Sequence, residues 1–548
     1  MRIRIVGRRP ANAERGKLRR AILATLVVLP LAAAGAGAAR AAGTTALYCA
    51  SPTASATVSN ALSKGFSAAS NGSSTDVVVT GLAQSPTNAV SCANGAVDDS
   101  LSVLNAVHAQ VANDQLTDLL AQPGVSVYPD VPVSVQSTVA STGPHTPSDD
   151  FLQETGATTL ASAGDTGQGV TVAVLDTGIS SLPDFSGRLI GGVDFTSARN
   201  PYSDAYGHGT FVAGLIAGTG ASSGGQYSGE APGANLVSIK VAGATGVTDL
   251  ATVMAGVGWA IQHRTQYNIR VLNISLGFQP ISSTLLNPLD WAVDQAWAAG
   301  ITVVTSAGNA GPFNGSILSP GDDPMAVTVG SLDDMTTPSV TDDEMNDFSS
   351  AGPTSPDGWV KPDLVSSGRS VVSLGAPGST IWTQNPAGRL GTANFVGSGT
   401  SFSAAITSGA AALVLGDNPT LSPNQIKARL LGTTTPGPVG NPFVDGHGAL
   451  NAAAAATSGD LEYSQSTAGL ASVAFGTTVS LANNGPADTW NPALWGGSAW
   501  NGSAWNSAAW NGSAWNGSAW NSAAWNGSAW NGSAWNGSAW NSAAWNGA

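Results

Sequence analysis

The sequence is poor in charge and in cysteine. Only 10% of its 548 residues are charged, and it has two cysteines. Two cysteines are too few for a disulfide scaffold or a cysteine-rich zinc site. The charge is mostly negative, because beyond residue 42 there are 11 Lys and Arg against 33 Asp and Glu. Such a chain repels a phosphate backbone, so we expect no nucleic-acid partner.

The first 42 residues are predicted to be a signal peptide. Eight basic residues precede a short apolar run that starts at Ala21, and small residues with cleavage options at Ala36–Ala38 and Ala39–Ala41 follow it. This order is typical of secretory signals. A membrane anchor is the less favoured alternative, since Pro30 breaks a run already shorter than the roughly 20 residues needed to span. The protein is therefore expected to be secreted, either extracellular or associated with the cell surface.

Residues 43–136 are predicted to form a small α+β unit. Strands are indicated by Asp76-Val-Val-Val-Thr and by the alternating segment Gly124-Val-Ser-Val-Tyr-Pro-Asp. A helix is predicted where apolar residues recur at helical spacing, at Leu101, Leu104, Val107 and Val111. Both cysteines, Cys49 and Cys92, lie in this unit, and a disulfide between them is favoured over two reduced, buried thiols.

A Pro/Thr/Ser-rich linker at 137–149 precedes an α/β domain at 150–455. Continuous apolar runs of strand length are typical of strands buried on both faces of a parallel sheet. These runs begin at Val170, Leu236, Val271 and Ile301. They alternate with helix-like segments, which predicts a three-layer α/β domain with a mostly parallel central sheet. Ligands of such sheets bind beyond the carboxyl ends of the strands.

The C-terminal part of the chain is repetitive. After a linker or small β segment at 456–485, tryptophan recurs every five residues between Trp490 and Trp545, so that residues 486–548 form pentapeptide repeats. A spacer or self-packing module that turns once per repeat is favoured. A flexible tail, or contact with a cell surface or polysaccharide through the tryptophans, are the alternatives.

Four short segments carry residues suited to acyl transfer. Asp176-Thr-Gly follows the first strand, and Gly-His208-Gly-Thr opens a helix. Asn309 ends Ser-Ala-Gly-Asn after a strand, and Ser401 in Gly-Thr-Ser opens a second helix. These residues supply a nucleophile, a base, a group that orients the base, and an oxyanion donor. Of the five histidines, only His208 lies in a Gly-His-Gly-Thr segment that opens a helix, whereas His447 lies in a Gly-rich turn.

In this order, at separations of 32, 101 and 92 residues, the four segments resemble the subtilisin-like serine endopeptidases, or subtilases. The resemblance covers about residues 150–455 and implies a subtilisin-like fold and activity. It implies that Ser401 attacks the scissile carbonyl, His208 moves the proton and Asp176 orients the imidazole. Asn309 would then stabilise the oxyanion. The family usually has proline four residues after the nucleophile, where this chain has Ala405.

The resemblance also implies how substrate binds and how the enzyme matures. Ser275, Leu276 and Gly277 match the edge segment that pairs with an extended protein or peptide substrate. Residues 43–136 resemble an inhibitor-type propeptide, which implies self-cleavage between about Val135 and Asp150. The propeptide would then be a partner that inhibits its own enzyme.

The catalytic chemistry requires no cofactor. Family members often bind structural calcium, and the acidic loops Asp322-Asp323 and Asp342-Asp343-Glu344 could supply oxygen ligands. Solvated acidic turns are the favoured interpretation of these loops.

Two other classes of protein agree less well with the residues. An aspartic protease would need two converging Asp-Thr-Gly segments, but Asp165 lies only 11 residues before Asp176. An inactive adhesion protein would not need all four catalytic residue types.

Overall fold

A computed structural model describes residues 60–81, 84–135, 138–139 and 149–459. The predicted signal peptide, Cys49, most of the 137–149 linker and the tryptophan repeats lie outside these residues. Within the described ranges, no helix is both long and apolar enough to cross a membrane.

Residues 60–130 form an antiparallel sheet covered by short helices. Its elements are α1 (Asn60–Ala68), β1 (Ser70–Asn71), β2 (Ser74–Gly81), α2 (Pro86–Cys92), β3 (Ala96–Leu101), β4 (Ala106–Ala112), α3 (Leu116–Leu120) and β5 (Val125–Pro129). The strand order is β1-β2-β4-β3, and β5 pairs with β2. The two strands predicted here are confirmed as β2 and β5.

The helix predicted over Leu101–Val111 is wrong. Leu101 ends β3, a single 3₁₀ turn covers Ser102–Leu104, and Val107 and Val111 lie on β4. Val107, Ala109 and Val111 are all buried against a core of the unit, which is a period of two residues. The helical spacing arose because apolar positions of two strands and the connecting turn happened to fall three or four residues apart.

The rest of the described chain alternates strands and helices. In chain order its elements are β6 (Pro132–Val135), β7 (Thr138–Val139), α4 (Phe151–Glu154), α5 (Ala157–Ser162), β8 (Thr171–Asp176), β9 (Leu189–Asp194), α6 (His208–Ala217), β10 (Asn235–Lys240), β11 (Val247–Asp249), α7 (Leu250–Tyr267), β12 (Ile269–Ile274), β13 (Leu276–Gly277), α8 (Pro288–Ala298), β14 (Thr302–Ser306), β15 (Val327–Asp333), β16 (Glu344–Met345), β17 (Leu364–Ser367), β18 (Val371–Leu374), α9 (Thr380–Gln384), β19 (Arg389–Leu390), β20 (Asn394–Ser398), α10 (Thr400–Asp417), α11 (Pro423–Gly432) and α12 (Ala452–Thr457).

The central sheet has the strand order β16-β15-β14-β12-β8-β10-β9, and β17 also pairs with β15. All of these pairs are parallel except β15 with β16. The middle strand β8 is buried along its whole length, as its continuous apolar sequence predicts. The four predicted strands are confirmed as β8, β10, β12 and β14, each within two residues of its predicted start.

Helices pack in two groups on this sheet. α6 and α10 contact each other and the sheet, while α7 and α8 form a second contacting pair on it. Small residues let α10 run through the core, where Ala404, Ala405 and Ala410–Ala412 are fully buried. The predicted α/β domain with a mostly parallel central sheet is therefore confirmed. α10 is regular through Ala405, so alanine in place of the usual proline leaves the helix start intact.

Candidate active site

Asp176 and His208 form a buried pair at the carboxyl end of the sheet. Asp176 is the last residue of β8 and His208 the first of α6. His208 Nδ1 donates to Asp176, at 2.8 Å from Oδ1 and 2.9 Å from Oδ2, and both side chains are 0% exposed. Because Nδ1 carries the proton of this bond, Nε2 holds a lone pair. Nε2 is buried, with no hydrogen-bond partner in the described part of the chain.

Two glycines let the backbone approach closely around His208. Gly207 has a φ of +107°, and a Cβ there would lie 2.5 Å from Ser379 Oγ. A Cβ on Gly209 would lie 2.3 Å from the carbonyl oxygen of Gly178. Both positions therefore require glycine, which agrees with the reason for singling out His208 in the sequence.

Sequence reasoning missed Asp204, which fixes the loop before His208. Its carboxylate accepts hydrogen bonds from Gly207 N at 2.7 Å, Thr210 N at 2.8 Å and Thr177 Oγ1 at 2.8 Å. Burial raises the pKa of Asp204, and these hydrogen bonds oppose the rise. The sequence did offer a signal for Asp204, because it is an acidic residue four positions before the histidine of Gly-His-Gly-Thr. Acidic residues favour the N-termini of helices.

Ser401 is the second residue of α10 and is buried. Its Oγ donates to Ser275 O at 3.1 Å, and Ser275 Oγ donates back to Ser401 O at 3.1 Å. The ring of Phe402 lies 5.7 Å, centroid to centroid, from the His208 ring. The N-termini of α6 and α10 thus bring His208 and Ser401 to one rim of the sheet.

Asn309 follows β14 at the same rim. Its Oδ1 accepts hydrogen bonds from Thr400 N at 3.0 Å and from Thr400 Oγ1 at 2.9 Å. Its Nδ2 is buried and has no partner among the described residues. A buried amide donor left unpaired costs stability unless a ligand accepts from it, so this atom is suited to bind a developing negative charge.

The predicted substrate edge is already paired with a segment of the chain itself. β6 lies antiparallel between β13 and β11, with Val135 opposite Leu276 and Ser134 opposite Gly277. Two residues further on, β7 pairs antiparallel with the end of β20, where Thr138 lies opposite Ser398. Residues 136 and 137 lie outside the described ranges.

The other predicted site residues have mixed outcomes. Cys92 is disulfide-bonded, but its predicted partner Cys49 lies outside the described residues. The interpretation of the acidic loops as solvated turns is wrong for Asp322, Asp323 and Asp343, which are buried. Asp323 accepts from the backbone N–H groups of the turn that follows it, which explains its burial.

A calcium site at these loops stays a prediction. In the described ranges, three metal-ligating side chains come within reach of one another at Asp76, Asp98 and His108, not at either acidic loop. Asp343 instead lies against Glu154. Burial of Glu154 and the charge of Asp343 together raise the pKa of Glu154 to about 9.

A parallel sheet that brings an aspartate, a histidine, a serine and an asparagine to one rim has the arrangement of a serine hydrolase. The family model for peptidase S8, described as the subtilase family, matches residues 167–448. The chain therefore belongs to the subtilase family, whose members are serine endopeptidases. Subtilisins need no organic cofactor and often bind structural calcium.

Two curated relatives come from Bacillus subtilis. Serine protease AprX is 43% identical over 292 residues, which cover 52% of this chain and 66% of AprX. Subtilisin E is 37% identical over 301 residues, which cover 54% of this chain and 68% of subtilisin E. The chain thus spans about two thirds of the length of these relatives.

A solved structure supports the fold. Fervidolysin from Fervidobacterium pennivorans, described as a keratinolytic enzyme related to subtilisin, aligns with a TM-score of 0.57 at 23% identity. The alignment covers 71% of this chain and 62% of fervidolysin. At this identity the likeness concerns the fold alone.

Proposed function

We propose that the chain is an active, exported serine endopeptidase that cuts peptide bonds through an acyl-enzyme on Ser401. The observation that carries the proposal is the buried Asp176–His208 pair. Its hydrogen bonds leave Nε2 of His208 as an acceptor beside the helix start that holds Ser401. The signal-like residues 1–42 support export.

The first chemical step forms a bond between Ser401 Oγ and the scissile carbonyl carbon. A rotation about its Cα–Cβ bond turns the hydroxyl from Ser275 O to His208 Nε2, which takes the proton. Asp176 keeps Nδ1 protonated and stabilises the imidazolium that results. Asn309 Nδ2 and the backbone N–H of Ser401 donate to the oxygen that becomes negative.

The second step breaks the peptide bond. The oxyanion collapses, His208 Nε2 returns its proton to the leaving amine, and the acyl group stays on Ser401. Water then attacks the ester, with His208 taking its proton and giving one back to Ser401 Oγ. Each proton thus moves through the same nitrogen.

Labelling with a fluorophosphonate probe tests this assignment. The wild-type enzyme is expected to label, and Ser401→Ala is expected to lose both the label and peptide hydrolysis. Ser403→Ala is the matched control, because Ser403 is a buried serine on the same helix that donates to Ser367 O. Labelling of the Ser401→Ala variant would overturn the assignment.

We further propose that residues 43–136 act as an inhibitor-type propeptide. The pairing of β6 with β13 and β11 supports this, because it has the form of a substrate strand on the predicted edge. β7 pairs with β20, which ends three residues before Ser401. β6 and β7 flank the interval between Val135 and Thr138, and we propose that self-cleavage falls in this interval.

N-terminal sequencing of exported protein tests the position of the cut. The mature chain is expected to begin at residue 136, 137 or 138, and the Ser401→Ala variant is expected to keep the propeptide. A mature chain that begins near Gly43 would contradict the proposal.

A further inference from the structure

A hydrogen-bonded relay of three buried side chains, Asn273, Ser275 and Ser408, ends at the backbone of Ser401. Ser408 Oγ donates to Asn273 Oδ1 at 2.9 Å, and Asn273 Nδ2 donates to Ser275 Oγ at 2.8 Å. Ser275 Oγ in turn donates to Ser401 O at 3.1 Å. All four residues are 0% exposed. The relay thus connects a later turn of α10 with its first turn by way of the end of β12, and the proposed catalytic steps do not use it.

The periodicities of a strand and a helix bring these side chains together. Asn273 lies on β12 and Ser275 two residues further on, so both side chains belong to one face of the strand. Ser401 and Ser408 are seven residues apart on α10, which is about two turns, so they share a face of the helix. α10 packs against β12. A buried polar group costs stability unless it is hydrogen-bonded, and the relay gives each of these side chains a partner.

The orientation of the Asn273 carboxamide sets the direction of the relay. Its oxygen can only accept, so the hydroxyl of Ser408 donates to it. Its nitrogen can only donate, so the bond to Ser275 Oγ uses the hydroxyl oxygen as an acceptor. The proton of the Ser275 hydroxyl is then directed to Ser401 O, because a carbonyl oxygen only accepts. Asn273 therefore decides where the Ser275 hydroxyl points.

Ser275 and Ser401 hold each other by two reciprocal hydrogen bonds. Ser401 O accepts from Ser275 Oγ, and Ser401 Oγ donates to Ser275 O at 3.1 Å. In the proposed reaction Ser401 Oγ turns to His208 Nε2, so its bond to Ser275 O breaks. The bond from Ser275 Oγ to the backbone of Ser401 does not depend on that rotation. The relay therefore holds the backbone of the nucleophile while its side chain moves.

We infer that Asn273 and Ser408 are positioning residues for Ser401, an inference that rests on the proposed function. They fix the hydroxyl of Ser275, and this hydroxyl holds the first turn of α10 against the end of β12. The attacking oxygen must come within about 3–3.5 Å of the carbonyl carbon in the correct alignment, so a small shift of the helix start slows acylation. Because both side chains are 0% exposed, neither can touch a substrate, and KM is expected to stay unchanged.

The reactivity of Ser401 measures this positioning directly. Self-processed enzyme is titrated for active sites, and the rate of fluorophosphonate labelling is measured together with kcat and KM on a peptide substrate. Asn273→Ala removes the link to Ser275 and is expected to lower the labelling rate and kcat about tenfold, with KM within about twofold of the wild-type value. Ser408→Ala removes the far donor of the relay and is expected to lower the labelling rate and kcat about threefold. Rates per titrated site do not depend on the fraction of enzyme that is folded.

Thr407→Val is the matched control for Ser408→Ala. Thr407 is the buried neighbour of Ser408, and its hydroxyl donates to Ser403 O within the same helix at 2.9 Å. Thr407→Val therefore removes a buried hydroxyl outside the relay and is expected to leave kcat within about twofold of the wild-type value. The double variant Asn273→Ala/Ser408→Ala is expected to be no slower than Asn273→Ala, because a relay broken at Asn273 no longer transmits the loss of the Ser408 hydroxyl.

A purely structural role of the relay predicts lower melting temperatures with unchanged kcat and labelling rate per active site. That result for Asn273→Ala or for Ser408→Ala would overturn the inference. An equal loss of kcat in Thr407→Val, or losses that add in the double variant, would overturn it as well. If Asn273→Ala does not fold, Ser408→Ala and its control decide the question. If the wild-type enzyme neither labels nor hydrolyses peptides, the proposed function itself is wrong, so the two failures are distinguishable.

Discussion

Thr400 holds the carboxamide of Asn309 with both its backbone and its side chain. Thr400 N and Oγ1 donate to Asn309 Oδ1 at 3.0 and 2.9 Å, and Gly308 N donates to Thr400 Oγ1 at 3.2 Å. Because both bonds to the carboxamide end on its oxygen, the orientation of Nδ2 is fixed before substrate binds. Thr400 is therefore a positioning residue for the proposed oxyanion donor.

Thr400→Val is expected to lower kcat about tenfold with little change in KM, because the loosened carboxamide acts mainly on the transition state. Asn309→Ala, which removes the donor, is expected to cost on the order of 10²–10³ in kcat, a magnitude borrowed from a subtilisin. Thr400→Ser keeps the hydroxyl and should restore kcat. Steady-state kinetics on a peptide substrate measure all three, and equal losses in the valine and serine variants would contradict the role.

His108 of the N-terminal unit is surrounded by acidic side chains. Its Nε2 lies 3.3 Å from Asp130 Oδ2, and Asp130 also accepts from Ala251 N at the start of α7. The bond to Asp130 raises the pKa of His108, burial opposes the rise, and the charges of Asp98 and Asp249 add to it. Protonation of His108 therefore favours the folded form of the chain.

The resulting stability is fully present below pH 6.5, the ordinary pKa of His108, and is lost as the pH rises through the higher folded-state pKa. In the Ser401→Ala background, which keeps the chain uncut, the melting temperature is expected to fall between pH 6 and pH 8. His108→Gln should remove the part of this fall in melting temperature that comes from the loss of the proton on His108. Thermal unfolding at several pH values checks it, and the same slope in both proteins would refute the role of His108.

Glu230 is buried against α10, and burial raises its pKa to about 8, while Thr155 opposes the rise. Because the pKa of the Glu230 carboxyl is raised, the contribution of this group to stability is present below about pH 4.5 and is lost as the pH rises through 8. Glu230→Gln should therefore raise the melting temperature at pH 9 by several degrees and change it little at pH 5. Glu344→Gln, at an exposed glutamate, is the control. A destabilised Glu230→Gln variant at pH 9 would contradict the expectation.

Cys92 is disulfide-bonded, and Cys49 is the other cysteine of the sequence. The Ser401→Ala protein is expected to resist alkylation until it is reduced, and then to take up two alkyl groups. A bond between these two cysteines would stabilise the N-terminal unit by about 4 kcal/mol on the chain-entropy model, so Cys92→Ala should melt at lower temperature. Peptide mapping without reductant checks the pairing, and alkylation of the unreduced protein would exclude it.

Some features of the active site followed from the sequence, and others required the structure. The motifs at Asp176 and His208 predicted a bonded pair, because the carboxyl end of a buried strand and the start of a helix meet at one rim of a parallel sheet. The anchoring of that pair by Asp204 did not follow, since it depends on a loop that turns back on the helix start. The buried Asp322 and Asp323 were misjudged for a similar reason, because local sequence does not show which turns the fold covers.

The sequence by itself determined the family, the positions of four buried strands along the chain and the candidate catalytic residue types, because these depend on local patterns and short motifs. Only the tertiary structure decided that Val107 and Val111 belong to a strand. It also placed β6 on the edge at Leu276–Gly277. Each of these is a contact between residues far apart in the chain, and its energy comes from a partner that local periodicity does not reveal.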